Sequence, residues 1–205
     1  RPLRLSASES QPYRRTMAAR ALMICALIAL LGLTAAVWVG GVTWLGWLGP
    51  VAIAAAIFAH FDRNGAGREE AAEIAGSAAF ALVPAAMAIL GGLAPWQALA
   101  LALLSLGRSV PSVLCVRSFL RAKKTGVRHN GLALVTASAA VVSAAVLYTQ
   151  HLIPFFGCAF MVVLALRAFA LLSIFRLPLR ARTLGMTEAV LGVVFVAGVA
   201  IAWHA

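Results

Sequence analysis

The sequence has little charge, and the charge that it has is clustered. Charged residues make up 11% of the 205 residues, whereas hydrophobic residues make up 63%, and the mean hydropathy is +0.97. From Ala21 to Phe61 the only ionisable side chain is that of His60. A water-soluble domain of this size leaves too many positions facing water to hide so much apolar surface. The scarcity of charge therefore argues against a soluble domain and predicts a membrane protein.

The sequence also lacks the usual patterns of soluble enzymes and metal proteins. We find no glycine-rich phosphate loop, no His-Glu zinc helix and no Ser-His-Asp set. Cys25, Cys115 and Cys158 lie at unrelated spacings in apolar stretches, which fits neither a disulfide nor a metal pattern. The net charge is +11, but no predicted soluble domain carries a basic face. We therefore predict membrane retention signals rather than nucleic-acid binding, and neither a metal nor any other cofactor is indicated.

What the sequence does contain is a series of long apolar stretches. About 20 residues at 1.5 Å per residue cross a bilayer core, and about seven stretches reach that length. They predict an all-α, polytopic transmembrane helical bundle over residues 21–205. The predicted spans are Ala21–Val39, Leu45–His60, Ala71–Leu90, Trp96–Val116, Gly131–Tyr148, Leu152–Phe175 and Leu184–Trp203.

The first twenty residues are polar and basic, and the chain begins with Arg1. This segment is too long for the charged part of a signal peptide. We interpret residues 1–20 as a cytosolic basic segment or internal loop of a protein truncated at its N-terminus. The alternative is that Met17 is the true start.

The basic residues alternate from one side of the predicted bundle to the other. Fifteen of the seventeen arginines and lysines fall on alternate joints, with five in 1–20, two in 61–70, five in 117–128 and three in 176–182. The positive-inside rule then predicts a bacterial inner-membrane protein with its N-terminus in the cytosol and its C-terminus outside.

Four ionisable residues lie within the predicted spans, where charge is costly and usually functional. Glu73 and Glu188 lie about one helical turn into their spans. Arg108 and Arg167 lie nine residues before the basic ends of theirs, about 13 Å along a helix. The similar depths predict internal ion pairs or an anion pocket open to the cytosol. The alternative is a salt-bridge network that only fixes the helix register.

The segment Gly107–Ser112 also points to a polar site within a span, because Pro111 lies within it close to Arg108. Proline frees a backbone carbonyl inside the membrane, so this segment predicts either a broken helix beside a polar site or a plain kink. Arg117 and Arg121 come next, four residues apart. This spacing lets two arginines share one helix face and hold a phosphate together.

The joint Phe61–Glu70 combines both signs of charge around Asn64-Gly65, a dipeptide that favours a tight turn. Asp62 and Arg63 lie in this joint. We expect them to border the same cytosolic mouth as Glu73.

Three segments resemble the YwiC-like family of bacterial membrane proteins. They are Arg108–Arg121 (RSVPSVLCVRSFLR), Glu73–Gly76 (EIAG) and Leu184–Glu188 (LGMTE), and the opening Arg1-Pro2-Leu3 looks like an internal loop of that family. The resemblance covers essentially the whole chain. It implies that a preceding region with a Glu-His-Gly-Ala-Trp type motif is missing, and it implies no particular reaction.

A fainter likeness is to the UbiA-type intramembrane prenyltransferases, whose nine helices this chain would match with two missing spans restored. Asp62-Arg63, Gly76 and Pro84 are similar to a Lys-Arg, Gly and Pro pattern of that family. The family's second aspartate-rich motif, which holds magnesium, would fall in the joint Val116–Asn130, and this joint contains no acid. The likeness therefore implies that arginines bind an anionic lipid directly, and it leaves enzyme activity open.

Together these observations predict a cytosolic mouth that binds an anionic, phosphorylated amphiphile, such as a polyprenyl or lipid phosphate. Its tail would lie along Ala71–Ala86. The arginines expected to hold the head group are Arg108, Arg117 and Arg121. The residues expected to orient them are Asp62, Arg63, Glu73, Arg167 and Glu188. Two alternatives are a small proton-coupled transporter that uses the buried glutamates and a non-catalytic membrane partner subunit of another enzyme.

Overall fold

The computed structural model describes residues 12–126, 130–174 and 181–204, and this part of the chain forms seven long helices. The helices are α1 (Pro12–Gly40), α2 (Leu48–Arg63), α3 (Glu70–Leu90), α4 (Pro95–Thr125), α5 (Gly131–Thr149), α6 (Phe155–Phe169) and α7 (Ala181–His204). A 3-10 turn, Thr43–Trp47, precedes α2, and a π-helical turn, Ala170–Ile174, extends α6. With these turns included, all seven are long and apolar enough to cross a membrane. The prediction of an all-α polytopic bundle is confirmed.

Helices α2 to α6 each pack against their neighbours in the chain, as short turns between long helices require. The central helix is α4, which contacts α3, α5, α6 and α7. By contrast, none of the described side chains of α1 is buried, so its apolar surface faces away from the bundle.

Two hydrogen bonds hold basic helix ends together on one side of the bundle. Arg117 near the end of α4 donates from Nη1 to the carbonyl of Arg68, just before α3, over 2.8 Å. Asn130 before α5 donates from Nδ2 to the carbonyl of Leu172 over 2.7 Å. These bonds join the end of α4 to the start of α3 and the start of α5 to the end of α6. The helices therefore run up and down in the order that the alternation of charge predicts. Which side faces the cytosol stays a prediction.

Alanine supplies most of the closest contacts in the core. Ala72, Ala86, Ala98 and Ala100 have no exposed surface, and Ala144 has 1%. Small side chains let helix backbones approach one another closely, which is the main source of helix association in a bilayer, where apolar burial gives little driving force.

The helix α4 is longer than the predicted span Trp96–Val116. It continues as helix to Thr125 and ends at Gly126, whose φ of 73° is left-handed. The prediction of a loop from Val116 onward is therefore wrong as far as Thr125. Arginine lowers the hydropathy of this stretch but favours helix, and its long stem can lie on apolar surface while its charge reaches water.

Proline affects two helices in different ways. Pro111 lies inside α4, which is helical throughout Gly107–Ser112, so the broken-helix interpretation is wrong. Pro154 instead takes the N-cap position of α6 with extended backbone, and α6 begins at Phe155 rather than at the predicted Leu152.

The Asn64-Gly65 turn is confirmed. Gly65 has a φ of 77°, and its N–H donates to the carbonyl of Asp62 over 3.1 Å. At the N-terminal side, α1 begins at Pro12, so the predicted basic segment 1–20 is helical from that residue on. Parts of the predicted joints lie outside the described residues, namely 1–11, 127–129 and 175–180, and these ranges include Arg1–Leu3 and Phe175.

Candidate functional site

A cleft of about 430 Å³ lies along α4, between α3 on one side and α7 on the other. Its α4 wall contains the residues Arg108, Ser109, Ser112, Val113, Val116, Arg117 and Leu120. Their spacing of three to four residues places them on a single face of the helix. The other walls are Glu73 and Ser77 of α3 and Glu188 of α7. The volume falls in the range of sites for small molecules.

An ion pair closes the end of the cleft nearest the basic helix ends. Arg117 Nη1 lies 2.8 Å from Glu73 Oε2, and the two side chains are 24% and 39% exposed. The same nitrogen donates to the carbonyl of Arg68. Because Arg117 already has two acceptors, it joins α4 to the start of α3.

A second ion pair joins α6 to α7. Arg167 Nη1 lies 2.5 Å from Glu188 Oε1, and both side chains are about one-fifth exposed, at 20% and 19%. Arg167 Nη2 also donates to Thr187 Oγ1 over 3.2 Å. These two bonds come from adjacent residues of α7 and fix the position of that helix beside α6.

Arg108 differs from the other two arginines because no carboxylate lies within ion-pair distance of it in the described part of the chain. Its Nη2 donates to the backbone carbonyl of Glu188 over 3.3 Å, and its Cζ lies 5.7 Å from the centre of the Phe195 ring. Its Nε is buried and has no hydrogen-bond partner. Among the described residues, the groups in direct contact with the charge of Arg108 are therefore a backbone carbonyl and an aromatic ring, while the Glu188 carboxylate attracts it from beyond ion-pair distance.

One stripe of α7 supports this guanidinium. Glu188, Gly192 and Phe195 follow one another at the four- and three-residue spacing of a helix face. A Cβ atom at Gly192 would lie 2.7 Å from Nη2 of Arg108, too close for ordinary contact. Glycine at this position allows the arginine to lie flat against α7.

The predicted binding residues divide between two clefts. Arg108, Arg117, Glu73 and Glu188 line the α3–α4–α7 cleft, and Arg167 reaches it through Glu188. A second cleft of about 310 Å³ lies on another side of α4, and Arg117 and Arg121 both line it. From the sequence we expected Arg108, Arg117 and Arg121 to hold one head group together. In the structure, Arg121 lines a different cleft from Arg108.

The residues Asp62 and Arg63 end α2 and are not part of either lining. Asp62 contributes to the turn instead, since its carbonyl accepts the N–H of Gly65 and its Oδ1 faces Gly67.

Sequence reasoning missed several parts of the cleft. Ser77 was not expected there, and Ser109 and Ser112 were noted only as neighbours of Pro111. The contacts of Gly192 and Phe195 with Arg108 were not expected either. The signal that could have found them is the helical spacing from Arg108, Glu73 and Glu188. Among the described residues, no three or more histidine, cysteine, aspartate or glutamate side chains come close enough to hold a metal ion.

No protein-family model matches this chain, and neither does any curated protein or solved structure. The resemblances to the YwiC-like family and to UbiA-type prenyltransferases therefore stay predictions from the sequence.

Proposed function

We propose that the α3–α4–α7 cleft binds the anionic head group of a phosphorylated amphiphile. The observation that carries this proposal is the state of Arg108, a partly buried guanidinium with no carboxylate within ion-pair distance among the described residues. A charge inside a bundle is costly unless it is paired. An oxyanion bonded to Arg108 would provide that pairing when the ligand is present.

The shape and composition of the cleft support an amphiphile rather than a small inorganic ion. Arg108 and the hydroxyls of Ser109 and Ser112 supply polar donors, while Val113, Val116 and Leu120 form an apolar strip on the same helix face. Both α3 and α7 flank α4 without packing extensively on each other. A hydrocarbon tail could therefore leave the cleft sideways into the bilayer.

Membership of the YwiC-like family and a UbiA-like architecture are part of this proposal and rest on sequence resemblance. Arginine and serine donors at the cleft support direct binding of phosphate oxygens. The described residues suggest no nucleophile or general base positioned for a transfer reaction, so we propose binding and not a reaction.

We also propose that the basic helix ends face the cytosol of a bacterial cell, on the basis of the alternation of charge. Single cysteines placed at Gly92 and at Lys124, in a background without Cys25, Cys115 and Cys158, test this orientation. A membrane-impermeant maleimide applied to spheroplasts should label position 92 and not position 124. The reverse pattern would overturn the orientation.

The binding proposal is tested by thermal stabilisation of the purified chain in lipid nanodiscs by farnesyl phosphate and farnesyl diphosphate, with and without magnesium. We expect stabilisation without magnesium, because the cleft presents arginine and serine donors. Stabilisation that requires magnesium would assign binding to acidic residues outside the described cleft. If neither compound stabilises the protein, and the phosphodiester geranyl methyl phosphate does not stabilise it either, the proposal is overturned.

The two alternative functions make different predictions in the same preparation. A proton-coupled transporter would show flux that changes when Glu73 or Glu188 is replaced by glutamine. A non-catalytic subunit would copurify with one stoichiometric partner from native membranes.

A further inference from the structure

The charges around the α3–α4–α7 cleft do not cancel. Arg117 and Glu73 form one ion pair, and Arg167 and Glu188 form another. Arg108 has no carboxylate partner within the described part of the chain. This network of three arginines and two glutamates therefore carries one net positive charge.

On the basis of the proposed function, we propose that the cleft selects a phosphorylated head group with a single negative charge, such as a phosphodiester, over a diphosphate. In a medium of low dielectric constant, uncompensated charge of either sign is costly. One negative charge on the ligand brings the occupied network to neutrality. A diphosphate carries more negative charge than Arg108 can compensate.

The two glutamates strengthen this selection, because both line the cleft. Additional charge on the ligand would be repelled by the carboxylates of Glu73 and Glu188. Arg117 and Arg167 are each neutralised by a glutamate, so hydrogen bonds from their remaining N–H groups to the ligand would add no net positive charge.

The remaining donors of the cleft are neutral. Ser109 and Ser112 can each donate one hydroxyl hydrogen bond to an oxyanion without adding positive charge, whereas the hydroxyl of Ser77 already donates to the carbonyl of Ile74. The two terminal oxygens of a phosphodiester suit a planar guanidinium, since arginine binds such pairs of oxygens in a bidentate manner. The donor set therefore suits a singly charged head group in both charge and shape.

The test compares three probes with the same tail: geranyl methyl phosphate, geranyl phosphate and geranyl diphosphate. Their affinities are measured by calorimetry on the full chain in nanodiscs of zwitterionic lipid, without magnesium. In the wild type we expect geranyl methyl phosphate to bind about tenfold more tightly than geranyl diphosphate, because extra ligand charge meets two carboxylates.

Glutamine variants should change this preference in a predictable direction. Glu188→Gln releases Arg167, and Glu73→Gln releases Arg117, so each raises the net charge of the network by one. We expect the diphosphate to gain about tenfold relative to the diester in either variant. Glu70→Gln is the matched control for Glu73→Gln, because Glu70 lies on the same helix but does not line this cleft. It should leave the order of affinities as in the wild type.

Each outcome bears on a separate claim. Tighter binding of the diphosphate in the wild type, or an unchanged preference in both variants that lack a cleft glutamate, would overturn the inference about charge. The proposed binding function would still stand in those cases if Arg108→Met abolished the binding. If none of the three probes binds, the proposed function falls, and this inference falls with it. Because Glu188 also holds α7 in place, Glu73→Gln keeps the test decisive if Glu188→Gln does not fold.

Discussion

Replacing Arg108 with methionine is expected to weaken binding of the phosphorylated amphiphile by about 100-fold, which corresponds to about 3 kcal/mol. Hydrogen bonds to a charged partner are each worth about 1.5–3 kcal/mol, and Arg108 is the arginine of the cleft that no carboxylate neutralises within the described residues. Methionine retains a long apolar side chain that can pack against Phe195, but it has no hydrogen-bond donors for the head group. The dissociation constant measured by calorimetry checks the expected loss.

The stability of the same variant separates a binding role from a structural one. The Nε of Arg108 is buried without a partner, so removing the guanidinium relieves a desolvation cost that the long bond to the Glu188 carbonyl and the contact with Phe195 offset only in part. We therefore expect the melting temperature of the protein without ligand to stay the same or rise slightly. A marked loss of stability would contradict the binding role and favour a structural one.

Two further variants make the comparison specific. Arg108→Lys keeps the charge without the planar fork and should retain an intermediate affinity. Arg121→Gln removes an arginine from the same helix that lines the second cleft instead. If Arg121→Gln weakens binding as much as Arg108→Met, the ligand lies in the cleft of Arg117 and Arg121, and the assignment to the α3–α4–α7 cleft is wrong.

Replacing Arg167 with leucine is expected to reduce the free energy of unfolding by about 2 kcal/mol, because it leaves the Glu188 carboxylate partly buried and without its cation. The variant also removes the bond to Thr187, so both polar links between α6 and α7 are lost. Besides these links, α7 packs on α6 and only lightly on α4. Unfolding by sodium dodecyl sulfate in bicelles, followed by the fluorescence of the five tryptophans, checks the expected change.

The double variant Arg167→Leu with Glu188→Leu is the appropriate comparison. Removing both charges takes away the unpaired carboxylate as well as the ion pair, and such replacements are often neutral in stability. We expect it to recover most of the stability lost in Arg167→Leu. If the double variant were less stable than the single one, the ion pair would not be the interaction that holds α7.

The amino-acid sequence by itself determined that this chain is a helical bundle with seven spans. That conclusion follows from free-energy terms that depend on composition and length, because a backbone in hydrocarbon must satisfy its own hydrogen bonds and a bilayer core sets the length of a span. The sequence also identified Arg108, Arg167, Glu73 and Glu188 as charges within spans. Their depth within the membrane could be predicted from the sequence, because it depends only on the distance along a helix.

Hydropathy gave the wrong end for α4, and the reason is physical. The end of an apolar stretch marks where side chains reach polar surroundings, whereas the end of a helix depends on propensity and on a cap. Arg117 and Arg121 end the apolar stretch, but arginine favours helix, so α4 continues to Thr125 and is capped by Gly126.

Only the tertiary structure decided which charges become partners. Arg117 pairs with Glu73 and Arg167 with Glu188, so that Arg108 lies against the stripe of Gly192 on α7. This pairing depends on which helices are neighbours and on how each is rotated about its axis. A helix that is apolar on every side gives no periodic signal for its rotation, and the rotation is set instead by close packing between alanine faces.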